Sequence, residues 1–110
     1  MAGKFEIYKD KKGEFRFRLK SGNGEIILAS EGYKAKSGAK NGIESVKKNA
    51  KDLKCFVTKQ SKNGKHMFNL RAGNHQVIGT SEMYNSTSSC TNGIKSVKTN
   101  APKAKIEDLT

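Results

Sequence analysis

The chain reads as an α+β protein built from two tandem β-β-β-α repeats packed about a pseudo-two-fold axis, with antiparallel sheets and one helix per repeat. Three observations predict this. The stretch NGIESVKKNA at Asn41 to Ala50 returns as NGIKSVKTNA at Asn92 to Ala101. Apolar residues alternate with period two through the first part of each copy and then change to a helical period. A length of 110 residues allows one modest core but not two independent ones, so the two copies are expected to share it.

Sliding the chain against itself by 51 positions aligns Phe5 to Ala50 with Phe56 to Ala101 without a gap. The five residues 51–55 between them are too few to separate two freely tumbling modules. The expected organisation is a single domain over 1–110: repeat 1 over 5–50, linker 51–55, repeat 2 over 56–101 and a short, partly mobile tail over 102–110.

In each copy the first strand is a short alternating run, Phe5-Glu6-Ile7-Tyr8 and Phe56-Val57-Thr58-Lys59. Lys11-Lys12-Gly13 and Lys62-Asn63-Gly64 then supply the glycine that a tight hairpin turn requires. In the second strand Phe15, Phe17 and Leu19 alternate with Arg16, Arg18 and Lys20, matched by His66, Phe68 and Leu70 against Met67, Asn69 and Arg71. Turns at Ser21 to Gly24 and Ala72 to His75 lead to third strands at Glu25 to Ser30 and Gln76 to Ser81. The period then changes. Ala39, Ile43, Val46 and Ala50 occupy one helical face, and Cys90, Ile94, Val97 and Ala101 repeat it, with Ser37 and Ser88 expected as N-caps. Inside each predicted helix stands an Asn-Gly pair, Asn41-Gly42 and Asn92-Gly93. Glycine there costs on the order of 1 kcal/mol against alanine, so its recurrence implies an offsetting gain. Either the missing side chain admits a close neighbour, or the helix starts later with Asn as its cap. Both accounts are structural.

Composition narrows the function classes. The formal charge of +12 attracts nucleic acid, anionic surfaces or acidic proteins without choosing among them. Each repeat carries +5, but from 11 basic and 6 acidic residues in the first and 6 and 1 in the second, which favours a sequence-blind field over a shaped pocket. No apolar run has the length of a membrane span, and the N-terminus lacks a secretory apolar stretch, so the expected address is the cytoplasm. Cys55 and Cys90 sit at non-equivalent places in the two copies and are expected as free thiols. With His66 and His75 they make no zinc spacing, and Gly22-Asn23-Gly24 lacks the Lys-Ser/Thr of a phosphate loop. No metal, cofactor or catalytic residue is expected.

Two groups of residues remain as candidates. Arg16, Arg18 and Lys20 project from one strand face about 6.8 Å apart, close to the phosphate repeat of an extended nucleic acid, with Arg71 as their only basic counterpart in repeat 2. The face carries no aromatic for base stacking, so a solvated strand face is the plainer reading. The second group is the signature common to both repeats: Glu31 and Tyr33, Asn41 and Gly42, Glu82 and Tyr84, Asn92 and Gly93. Two symmetry-related carboxylates can form an acid/base pair or a cation site. The favoured reading is a local lock, with Ser and Glu bonding backbone amides at the strand end and Tyr covering the core.

The segments Phe15 to Glu25, Ser30 to Tyr33, Asn69 to Gln76, Ser81 to Tyr84, Glu107 to Thr110 and both Asn-Gly-Ile-x-Ser-Val-Lys stretches resemble the YegP-like family over nearly the whole chain. The resemblance implies a small duplicated α+β protein, with one-unit members associating as dimers. It implies no established reaction and contributes no catalytic residues. The expected function is a non-enzymatic binding or interaction module, monomeric because it contains its own pseudo-dimer, with a protein partner. The alternative is sequence-non-specific nucleic-acid binding through the cationic surface.

Overall fold

The computed structural model describes residues 3–73 and 76–110. The first repeat runs β1 (Lys4–Lys9), β2 (Phe15–Lys20), β3 (Ile26–Ala29) and α1 (Lys36–Asn49). The second runs β4 (Phe56–Gln60), β5 (His66–Arg71), β6 (Val77–Thr80) and α2 (Thr87–Asn100), and a last strand β7 follows at Lys105–Asp108. Neighbouring strands pair antiparallel by hairpins whose register follows the alternation, Ile7 opposite Phe17 and Thr58 opposite Phe68. Gly13 and Gly64 hold φ of 83° and 81°, the left-handed turn conformation that favours glycine. Of the turn expected at Ala72 to His75, Asn74 and His75 lie outside the described residues.

The repeats join in one sheet of order β4-β5-β6-β3-β2-β1-β7. The junction is Ala29 opposite Thr80, and these are the same position of the two repeats. A residue paired with its own copy marks a two-fold axis, so the sequence duplication is also a spatial one. Mutual cover comes from the helices rather than from two stacked sheets. α1 packs on β2 of its own repeat and reaches β6 and β5 of the other, while α2 packs on β5 and reaches β3. Beneath them Phe5, Ile7, Phe17, Leu19, Leu28, Ile43, Val46, Phe68, Leu70, Cys90 and Val97 are fully buried.

Symmetry is broken where it would be costly. Leu28 and Gly79 are equivalent residues beside the axis, and a Cβ on Gly79 would lie 2.7 Å from Cδ2 of Leu28. Two leucines would collide there. A bulge at the same place in both repeats, between Leu19 and Lys20 and between Leu70 and Arg71, explains the unbroken apolar run Ile26-Ile27-Leu28.

Two expectations are corrected. The helices begin before Ser37 and Ser88. The N-cap of α1 is Ala35, without a side-chain bond, and that of α2 is Ser86, whose Oγ accepts from Ser89 N at 3.1 Å. The bridges Phe15–Tyr33 and His66–Tyr84 hold the chain to the second strands and let it turn into a helix soon after. The tail, expected to be partly mobile, forms a 3₁₀ turn at Ala101–Lys103 and then β7, parallel to β1. Leu109 N donates to Ile7 O at 2.8 Å, and Glu107 and Asp108 pair with Lys4 at 2.7 Å and Lys36 at 2.8 Å. All four residues of β7 are exposed, so its strand form depends on an edge and two ion pairs rather than on an apolar pattern.

The Asn-Gly question is settled by contact, since Asn41 and Asn92 lie inside their helices, not at the caps. A Cβ on Gly42 would stand 2.7 Å from both Phe17 Cε2 and Tyr33 Oη. Gly42→Ala is expected to lose about 1–3 kcal/mol in urea unfolding despite alanine's better helix propensity, because the rings cannot yield. Adding Tyr33→Phe, which removes the obstructing hydroxyl, should recover part of the loss. A stabilised Gly42→Ala variant would show that propensity, not contact, decides this position.

Candidate functional site

The basic strand face is part of an ion-pair lattice on the side of the sheet that the helices leave uncovered. Because Glu6 is opposite Arg18 and Ala29 is opposite both Arg18 and Thr80, one row of side chains crosses all seven strands: Val57, Asn69, Thr80, Ala29, Arg18, Glu6, Glu107. Glu6 lies at its centre of charge. Its side chain is 6% exposed, with Arg18 Nε at 2.7 Å, Lys20 Nζ at 3.2 Å and Lys4 Nζ at 3.4 Å. Burial alone would raise its pKa, but the hydrogen bonds and charges of Arg18 and Lys20 outweigh that and bring it from 4.5 to about 2. Arg16 Nε donates to Asp10 Oδ2 at 2.8 Å, and the guanidinium holds that carboxyl below its usual range. Arg18 also lies over the Tyr8 ring, 4.5 Å from its centroid.

The predicted stripe of Arg16, Arg18 and Lys20 is therefore assembled, but each member already has a carboxylate. Sequence reasoning missed Glu6, Asp10 and Lys4. The signal was the parity of β1, which puts Lys4, Glu6 and Tyr8 on the face opposite Phe5 and Ile7. In the second repeat Glu6, Arg18 and Lys20 become Val57, Asn69 and Arg71. Asn69 accepts from Thr80 Oγ1 at 3.1 Å, whereas Arg71 has lost its acid and its buried Nε has no hydrogen-bond partner among the described residues.

The shared signature is a lock, made by serine and tyrosine. Ser30 Oγ accepts from Phe17 N at 2.9 Å and donates to Glu31 O at 2.8 Å, and Ser81 does the same with Phe68 N and Glu82 O. Tyr33 and Tyr84 stack on Phe17 and Phe68 with centroids 6.3 Å apart, and burial raises both phenols. The carboxylates of Glu31 and Glu82 were expected to bond backbone amides. They are exposed and take no hydrogen bond among the described residues, because the serine hydroxyls already satisfy the strand end. Cys90 is buried, which pushes its thiol up, and half-buried Cys55 lies 3.7 Å from Asn49 Oδ1. His66 is half-buried and stands beside Cys90 in the groove next to β4. Among the described residues no three His, Cys, Asp or Glu side chains converge, and no helix is long and apolar enough to cross a membrane.

Two broad clefts flank the turn after β2. One, about 740 Å³, lies against α2 and is lined by Asn23, Tyr84, Ser89, Asn92 and Ser96, with Ile27 beside them and Glu25 its only charge among the described residues. The other, about 840 Å³, is bounded by Lys4, Lys20 and Lys105, which stand abreast on three strands with Glu107 beside them.

The fold defines a class: tandem ββ-β-α units sharing one mixed sheet. The profile of a domain of unknown function, DUF1508, matches the chain twice, over residues 10–55 and 61–108. The chain is 62% identical over 109 residues to a UPF0339 protein from the ptx operon 5′ region of Stutzerimonas stutzeri, covering 99% of this chain and 98% of that one. It is 47% identical to YegP of Escherichia coli over the full length of both. The solution NMR structure of that protein of unknown function superposes with a TM-score of 0.95, covering 100% of this chain and 95% of the other. A UPF0339 protein from Shewanella oneidensis, also solved by NMR, is 52% identical with a TM-score of 0.94, over 100% and 93%. The chain belongs to the UPF0339, YegP-like family and carries its DUF1508 domain in tandem.

Glu6 sets an expected pH dependence. A carboxylate whose pKa is lowered on folding stabilises the folded state above its unfolded value and loses that contribution as pH falls from about 4.5 through 2. Glu6→Gln should therefore flatten the fall of urea-unfolding stability between pH 5 and pH 2. An unchanged acid limb would mean that other carboxylates set it.

Proposed function

We propose that this protein is a binding module that acts through its surfaces and makes or breaks no bond in its partner. The observation that carries the reading is the uncovered sheet face, a row seven strands wide on whose first-repeat half the charges are already matched to one another. Antiparallel sheets commonly leave one face to water, but a face this broad, with Arg16 and Arg18 held in place by carboxylates, is preorganised for a flat partner. Glu6 and Asp10 are anions fixed by cations, and burial raises the Cys90 thiol, which supports a structural use of these groups.

A photo-crosslinking residue at Thr80, mid-sheet on that face, should trap a partner in cell extract more efficiently than one at Lys95 on α2. Trapping from Lys95 alone would overturn the reading.

A second reading, contact with a polyanion, is supported by a group of three lysines that outnumber the one carboxylate, Glu44, in their groove. Lys47, Lys48 and Lys51 border one groove at the C-terminal end of α1 and make no ion pair within 4 Å among the described residues. Its site is then the helix side and not the arginine stripe. In anisotropy titrations with short oligonucleotides, affinity should fall steeply with salt. Reversing Lys47, Lys48 and Lys51 to Glu should flatten that slope, while Arg16→Ala and Arg18→Ala should leave it nearly unchanged. Equal binding of heparin would reduce this reading to a general field effect.

A further inference from the structure

The first strands of the two repeats are equivalent in sequence but not in their place in the sheet. β1 and β4 are the same strand of the two repeats, and β1 is covered by β7 while β4 ends the sheet. We propose that the free edge of β4 takes an extended acidic segment of a partner protein as an eighth strand, parallel to β4, in the place that β7 holds on β1. This deepens the binding-module reading and rests on it, naming a second surface and the chemistry of its ligand.

The first repeat shows what such an edge accepts. β7 lies parallel to β1 with Phe5 opposite Ile106 and Ile7 opposite Asp108, and Leu109 N donates to Ile7 O. Within a strand, N–H and C=O of alternate residues point to the same side. The bond to Ile7 therefore puts the amides of Phe5 and Ile7 outward, and by equivalence that of Thr58, with Gln60 next in the alternation, while Phe56 N–H already donates to Leu53 O. These are backbone donors and acceptors with an established way of being satisfied one repeat away.

The ground beside that edge differs from its counterpart: neutral hydrogen-bond donors stand where repeat 1 has Lys9, Lys36 and Lys40. In repeat 1, Asp108 meets Lys36, the first residue of α1, and the lysine holds the acid well below its usual range. The equivalent position in repeat 2 is a groove of about 290 Å³ between β4 and the start of α2. Thr58, Gln60, His66, Thr87 and Thr91 line it, with Cys90 alongside and Lys59 as its cation. The first five replace Ile7, Lys9, Phe15, Lys36 and Lys40. Three hydroxyls, an amide and an imidazole are hydrogen-bond donors of the length and polarity to receive an acidic side chain where β7 inserts Asp108. Leu53, 56% exposed at the head of the edge, offers an apolar contact.

Charge selects the occupant. Lys54 and Lys59 are exposed on and next to β4, Lys62 follows in the adjoining turn, and the chain carries +12. Edge lysines of this kind oppose pairing with a second copy of the same cationic chain and favour an acidic strand.

The test is an NMR titration of the full ¹⁵N-labelled chain with the blocked peptide Ala-Glu-Ile-Glu-Asp-Leu-Thr, which is the β7 sequence with its lysine replaced by glutamate. Binding with a Kd below about 1 mM is expected, with shift changes along β4 and slowed amide exchange at Thr58 and Gln60. N-methylating the peptide residues that correspond to Glu107 and Leu109, whose amides face the strand, should abolish binding, whereas methylating the one that corresponds to Asp108 should not. Thr58→Pro, which removes an outward donor and no hairpin bond, should weaken binding at least ~10-fold. Shift changes confined to β1 and β7 or to the helix lysines, equal binding of the methylated peptides, or no binding at millimolar peptide would each overturn the proposal. Crosslinking from Thr80 does not involve this edge, so its persistence alongside a failed titration would discard the β4 site and keep the binding-module reading.

Discussion

Everything in this molecule depends on a single short junction, the antiparallel pairing of Ala29 with Thr80 on the pseudo-two-fold axis. Without it each repeat is three strands and a helix, too small to bury a self-sufficient core. With it the strands become one sheet and each helix gains a second bed on the other repeat's strands. Leu28 beside Gly79 makes the junction close, because one repeat supplies the volume and the other the space. A homodimer of identical units cannot make that exchange. Fusion into one chain permits it, which is a physical reason for the two copies to diverge at the axis while remaining alike in the stacked Phe17–Tyr33 and Phe68–Tyr84 pairs.

The divergence continues outward. Repeat 1 invested its outer face in ion pairs around Glu6 and received β7 on its edge. Repeat 2 replaced the acid by Val57, left Arg71 without its carboxylate, and kept β4 as a free edge beside a polar groove. Equal net charge on the two repeats thus conceals one surface that is internally neutralised and another that is open. The proposed surfaces follow from this asymmetry, while the shared serines and tyrosines hold the third strand and helix to the sheet.

The fold was largely legible because its determinants are local or repeated. The alternation of Phe15, Phe17 and Leu19, the helical spacing of Ala39, Ile43 and Val46, and the hairpin glycines each act within a few residues. The helix starts were misread because a serine near the right place looks like a cap, whereas the β-bridge at Tyr33 sets where the chain can turn. β7 was illegible for a different reason. Lys105-Ile106-Glu107-Asp108 has no buried face, and what makes it a strand is an edge about a hundred residues earlier in the chain. The basic stripe was half legible: its parity was readable, but its neutralisation required knowing which carboxylates β1 presents to it.

The sequence by itself determined the class of fold, the duplication, the core residues and the high positive charge, because periodicity and self-similarity are properties of the chain alone. Only the tertiary structure decided that the repeats merge edge to edge, that Arg16 and Arg18 are already paired, that Gly42 and Gly93 admit tyrosine hydroxyls, and that one first strand is capped while its twin is not. Those outcomes depend on which distant side chains share a row or a gap, and register between strands is a relation that no single stretch of sequence contains.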